Sequence, residues 1–397
     1  MTSNARLVAT FLRCGAMEGL LLPCAFFCLA LCRCANPNAC IGGAAANKRA
    51  DTEADFKSAQ CSGAYQGNLC GECKEGFGRV RPFFCRKCMP TGTIVALYML
   101  AVVVMIGLVK LLVFFQTGGD NAPRTDLQRP IPAEMLRALV IHTQWLYIIC
   151  SIVGIPWPTA VSAPMQAIVG IWSTTSGSSI GFDCIFQNKG LPVGAQKLLI
   201  CLLTPVGVLF IVLGIEVVLH LLRPRKFGTI RHEFASVTMC IVFMFLPTWV
   251  STTLSLFECV PLDKPVAAPF QAEAVGSWWV EDMSQLCYSH SGYHRTLALG
   301  LGIPLTLLFC VVLPAGVFVF MWYSRKQGKL QDMHFQKHYG FMYQLWRDEW
   351  CWWESVLIFQ TICLVVVSIF GFSLGPAHRE QWSPQQCWQL WACCCLQ

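Results

Sequence analysis

Five cysteines stand close together in the stretch Cys61-SGAYQGNL-Cys70-GE-Cys73-KEGFGRVRPFF-Cys85-RK-Cys88. Thiols at this spacing do one of two kinds of chemistry. The pairs Cys70/Cys73 and Cys85/Cys88 have the Cys-x2-Cys spacing of a tetrahedral zinc site, in which four thiolates on adjacent turns surround the ion. In an oxidising compartment the same residues form disulfides, and a fifth cysteine at 61 with glycines at 63, 67, 71, 76 and 78 suits tight disulfide-bonded loops. Disulfides are the expected state. Cys259 and Cys287 share a later polar loop and are expected to bond to each other, which closes a loop for ~3 kcal/mol. Cys150, Cys201, Cys240, Cys310 and Cys363 lie inside apolar runs and read as small buried hydrophobes.

A second group is the ionisable residues inside apolar runs, which are functional candidates by default. Glu216 stands one turn from His220 and could pair with it facing a bundle interior. Lys110, His220 and Glu354 lie near the ends of their runs and are expected to snorkel toward headgroups. His142 is nearer mid-run and reads as a structural histidine. The sequence contains no Walker loop and no HExxH. The chain is therefore expected not to be an enzyme, and to need no cofactor or metal.

These residues must be positioned by elements whose solvent is lipid. Of 397 residues, 55% are hydrophobic and 13% charged, with mean hydropathy +0.52, whereas soluble domains carry about 25% charged residues. The net charge of +7 is spread over loops, which argues against a nucleic-acid partner. Six runs are long enough to cross a bilayer as helices: Thr93–Phe115, Met135–Trp157, Gln196–Leu222, Ala235–Phe257, Thr296–Tyr323 and Trp352–Leu374. Pro156–Ile171 is too short to span and reads as a re-entrant or packed loop.

Lys and Arg mark cytoplasmic loops. Arg223, Arg225, Lys226 and Arg231 follow the third run, and Arg325, Lys326, Lys329, Lys337 and Arg347 follow the fifth. Between them, Glu258, Asp263, Glu273, Glu281 and Asp282 make the loop after the fourth run acidic. The loop after the second carries only Asp183 and Lys189. This alternation predicts that the cysteine stretch lies outside, although Arg79, Arg81, Arg86 and Lys87 locally favour the opposite. Residues Tyr339–Trp353, dense in aromatics, read as an interfacial segment.

The predicted fold class is an all-α polytopic membrane protein of about six helices with a small disulfide-rich extracellular module. The domain reading is a signal peptide or N-terminal anchor over 1–35, a polar linker over 36–60, the cysteine module over 61–90 and the multi-pass region over 91–375. The tail 376–397 matches nothing before it and is expected to be atypical, as from a broken gene model. Expected partners are the lipid bilayer and further copies of the chain in a homo-oligomer.

The spacing Cys61-x5-Gly67-x2-Cys70-x2-Cys73-x2-Gly76-x8-Cys85-x2-Cys88 resembles the second half of a laminin-type EGF or ephrin-receptor-like cysteine repeat. That resemblance implies the bonds Cys61–Cys70 and Cys73–Cys85, with Cys88 left for a partner such as Cys40. Further on, LRALVIHTQWLYIICSIVGIPW at Leu136–Trp157, Phe182-Asp183-Cys184 and Leu256-Phe257-Glu258-Cys259-Val260-Pro261 resemble large algal and protist surface proteins. So do Asp282 with Cys287, and Tyr339-Gly340-Phe341-Met342-Tyr343 running into Trp352-Trp353-Glu354. In that family a cysteine-rich ectodomain precedes a TRP-channel-like membrane region, which implies a cation channel or sensor; a structural or adhesive surface protein is the rival. The family places Arg-Lys after Glu354 where this chain has Phe359-Gln360, and it continues with further spans. The resemblance thus predicts an incomplete charge network at Glu354 and no conduction by this chain alone.

Overall fold

An apolar run can satisfy its backbone polar groups in an apolar solvent only by folding on itself, and a helix does this within one segment. The computed structural model describes residues 39–40, 61–67, 70–81, 84–117, 131–151, 184–185, 193–222, 227–261, 276–290, 292–343 and 346–371. Each of the six apolar runs is helical within them. The helices are α1 (Thr91–Thr117), α2 (Ile131–Ser151), α3 (Val193–Leu222), α4 (Phe227–Leu254) and α5 (Tyr293–Lys326), then the short α6 (Met333–Tyr343) and finally α7 (Trp353–Phe370). The expected signal segment, most of the linker, the loop at 156–171, the tail and the basic residues at 223–226 lie outside the described residues.

Five helices, α1, α3, α4, α5 and α7, are long and apolar enough to cross a membrane. Their outward faces are apolar too: Leu100, Val103, Phe114 and Phe210 are 60%, 61%, 65% and 70% exposed. The sixth expected span differs. Helix α2 has 21 residues and so reaches about 31 Å, but its apolar part is confined to Met135–Ile149. Polar residues interrupt it, and the buried ones, Arg137 and Gln144, need partners inside the bundle. Pro205 and Pro247 are accommodated within α3 and α4. Around Pro304 and Pro314, α5 widens into π-helical turns at Ala298–Gly302 and Leu308–Val312, a local adjustment that lets a helix continue past proline.

The chain divides into two compact units. In the helical unit, Met105 and Val109 of α1, Val140 of α2, Val208 and Val212 of α3, and Ile241 and Phe245 of α4 form one apolar cluster. A second joins Ile148 of α2 and Val250 of α4 to Ile358, Ile362 and Val365 of α7. A third, around Met321, Leu330, Met342, Tyr343 and Cys351, buries part of the segment expected to be interfacial.

In the other unit, β1 (Tyr65–Gln66) pairs with β2 (Glu72–Cys73), and β3 (Phe77–Arg81) with β4 (Phe84–Lys87), both antiparallel. Strands β5 (Cys259–Pro261), β6 (Ser277–Trp279) and β7 (Asp282–Leu286) form an antiparallel sheet in that order. This sheet departs from the all-α expectation for that region. Strands of three to five residues have too few side chains to show an alternating pattern, and a disulfide holds these together.

Gly194 opens α3 against the ring of Trp279, which is 1% exposed; a Cβ there would lie 2.5 Å from two ring carbons. Overpacking of this kind costs about 1–3 kcal/mol. Gly194→Ala should therefore lower the thermal midpoint of the detergent-solubilised protein. Gly107→Ala, where a Cβ meets nothing within 4 Å, should leave it unchanged or raise it slightly, because alanine favours helix by about 1 kcal/mol over glycine.

Candidate functional site

The cysteines of the first stretch are all oxidised. Cys61 is bonded to Cys70 and Cys73 to Cys85, the pairs that the repeat resemblance implies, and Cys259 is bonded to Cys287. Cys88 bonds to Cys184 and not to Cys40, which is itself in a disulfide. The repeat spacing carried no information on this bond, because its partner lies 96 residues away. With these four bonds formed, Cys70, Cys73, Cys85 and Cys88 have no thiolate to offer zinc. His294 sits beside the sulfurs of Cys259 and Cys287, but those sulfurs are bonded to each other. Its ring accepts the Tyr288 amide at Nδ1 (3.2 Å) and donates from Nε2 to the Leu256 carbonyl (2.9 Å), so both nitrogens are occupied.

Around this sheet gathers a group of charges. Arg79 of β3 donates to the carbonyls of Val280 (2.6 Å), Glu281 (3.0 Å) and Gly71 (3.3 Å). Lys197, in the first turns of α3, donates to Glu281 Oε2 at 2.6 Å. Burial alone would raise the Glu281 carboxyl, but Lys197 and Arg79 outweigh it and hold the group below its ordinary value of 4.5. Glu258 is 7% exposed, and its carbonyl accepts the Val280 amide, which sets it beside Glu281. Burial, reinforced by Glu281 and only partly offset by Lys197, pushes its carboxyl up to about 8. Burial and Asp282 likewise raise Glu72 against the pull of Arg79. Asp282 accepts from Ser284 and from the Tyr293 hydroxyl.

In the helical unit the expected roles of the ionisable residues change. Glu216 pairs with Lys110 across α3 and α1; the expected partner His220 has its side chain outside the described residues. Lys110 accordingly does not snorkel alone. Glu354 does not snorkel either. It forms an ion pair with Arg137 of α2, the two side chains being 3% and 6% exposed, and Arg137 supplies from another helix the cation whose local absence had predicted an incomplete network. The polar residues of α2 continue inward: Gln144 donates to the Met244 carbonyl (2.8 Å), and the Trp145 indole to Thr361 Oγ1 (2.9 Å). Arg137, Gln144, Glu354 and Thr361 line a cavity of about 40 Å³ whose remaining walls are apolar or prolyl, room for one or two waters. His142 stacks edge-on against Trp145. The sequence signalled Arg137 only by its charge inside a run counted as a span.

Breaking a buried ion pair from one side costs about 3–5 kcal/mol, because the remaining charge is stranded, whereas replacing both members with apolar residues is often neutral. Arg137→Met and Glu354→Met should each sharply lower the thermal midpoint, and the double variant should recover most of the loss. A double variant no better than the worse single one would show that the two charges are not coupled.

The acids of the other unit predict a pH dependence. Folded Glu258 holds its proton up to about 8, while an unfolded carboxyl releases it near 4.5. The folded form therefore binds more protons between those values, and stability falls as pH rises through that window. Glu72 acts in the same direction. Glu281 acts oppositely: its stabilisation is present above 4.5 and is lost as pH falls through its lowered folded value. Thermal midpoints of the full chain should fall from pH 5 to pH 8, and Glu258→Gln should remove most of that slope.

No family model, characterised protein or solved structure matches this chain.

Proposed function

We propose that this chain is a multi-pass membrane protein of the surface type, whose packed helices carry a disulfide-braced module on the outer side. The observation that supports it best is the Cys88–Cys184 bond. It joins the segment before α1 to the segment before α3, and residues bonded in one oxidising compartment lie on one side of the membrane. An even number of crossings must separate them. Helix α1 supplies one, and α2 is the described helix between them that can supply the return. Its length suffices, and its Arg137, Gln144 and Trp145 are turned to partners within the bundle, where polar groups in a span belong. The acidic loop after α4 then falls outside with the cysteines, and the basic loops after α3 and α5 fall inside.

Within the bundle, Lys110 is paired with Glu216 and Arg137 with Glu354. Apolar clusters fill the contacts between the helices that these residues join. This favours a carrier and anchor for the outer module over an open ion path. The TRP-like resemblance favours the second reading, cation conduction or sensing, for which the π-helical turns of α5 are the structural hint.

Single cysteines at Lys189 and Lys264, in a background otherwise unreactive, should react with an impermeant maleimide on intact cells, while cysteines at Arg124 and Lys226 should not. Equal labelling at Arg124 and Lys189 would mean that α2 does not cross. Current recording on the expressed chain should give background conductance, and reproducible cation currents lost on Glu216→Ala would establish the channel reading instead.

A further inference from the structure

We propose that Glu258 is a proton-binding site of the disulfide-bonded unit, a carboxyl buried beside Glu281, which already holds Lys197. The β5–β6 pairing fixes this arrangement. Cys259 lies opposite Trp279, and just beyond that pairing the Glu258 carbonyl accepts the amide of Val280, the residue before Glu281, at 3.0 Å. The Cys259–Cys287 disulfide, immediately after Glu258, prevents the strand from turning away. Glu258 is 7% exposed, and both burial and a second carboxylate nearby disfavour its ionised form. Lys197 donates to Glu281 at 2.6 Å, which leaves Glu258 as the acid that retains its proton.

Among the described residues, the charged and titratable groups on the neighbouring strands have partners of their own. Arg79 of β3 is directed at the carbonyls of Gly71, Val280 and Glu281. Asp282 of β7 holds Ser284 and the Tyr293 hydroxyl, and Glu72 of β2 faces Asp282 and Arg79. His294 bridges Leu256 and Tyr288. The ligand is thus a proton from the solvent on the disulfide side, and the shift to about 8 sets the range in which it exchanges. On release, an ionised Glu258 competes with Glu281 for Lys197, so the pair that joins the β6–β7 turn to α3 weakens as the solvent becomes alkaline. This inference goes beyond the anchor reading and does not depend on it.

The test is an infrared pH titration of the full chain in lipid nanodiscs. The wild type should show a protonated-carboxyl C=O band at pH 7 that disappears with a midpoint near 8 and is missing in Glu258→Gln. Glu281→Gln removes the competing charge and frees Lys197, so the midpoint should drop by at least one pH unit, a tenfold loss of proton affinity. Glu258→Asp should retain a titrating band, which guards against misfolding of the Gln variant, and an intact Cys259–Cys287 bond in each variant checks the sheet. The proposal is overturned if no band at pH 7 depends on residue 258. It is equally overturned if the midpoint does not move in Glu281→Gln, since the carboxyl would then be neutral through burial alone.

Discussion

The bond between Cys88 and Cys184 constrains the path of everything between and after them. It closes a loop with a sequence separation of 96, and restricting an unfolded loop of that size contributes about 4–5 kcal/mol in the chain-entropy description. Its directional consequence is larger than its energy. If α1 crosses a bilayer, the chain must cross back before Cys184. That obligation falls on α2, whose composition is poor for the task. Its Arg137 cannot be left in hydrocarbon, so another helix must bring a carboxylate to it, and Glu354 at the start of α7 does so. On the proposed topology, the disulfide and the ion pair thus answer one requirement, the return of α2 through the bundle.

The same electrostatic rule orders the charges of both units. A carboxylate removed from water must find a cation or give up its charge. Glu354 has Arg137, Glu216 has Lys110 and Glu281 has Lys197. Each pair joins residues far apart in sequence, so each fixes the position of two elements as well as satisfying two charges. Glu258 meets the rule in the other way. Its nearest cation is already bonded, and it stays protonated.

How much of this could be read from residues alone depended on the range of the interaction. Apolar runs are local signals, and all six helices lie where the runs placed them. The Cys61–Cys70 and Cys73–Cys85 bonds follow a local repeat spacing, and Cys259–Cys287 follows from two cysteines sharing one loop. The missed pairings were long-range. Cys88 found Cys184, Glu216 found Lys110, and Glu354 found Arg137. A residue's position within its own run gives the cost of burying it but says nothing of which partner meets it across the bundle. The β5–β7 sheet was missed for a different reason: its strands are too short for a period to emerge.

Pairing also explains why the two units should respond differently to solvent. In the bundle Glu216 and Glu354 each face a cation on another helix, and removing either partner would strand the other. Such pairs act as fasteners between helices. Around β5 and β6 the count is different: Glu258 and Glu281 share Lys197, and Arg79 is turned to backbone carbonyls. An odd acid in a shared site can change its charge without stranding a partner, because its neighbour keeps the cation. The proton response is placed in the disulfide-bonded unit, where Glu258 lies buried next to an acid that already holds Lys197.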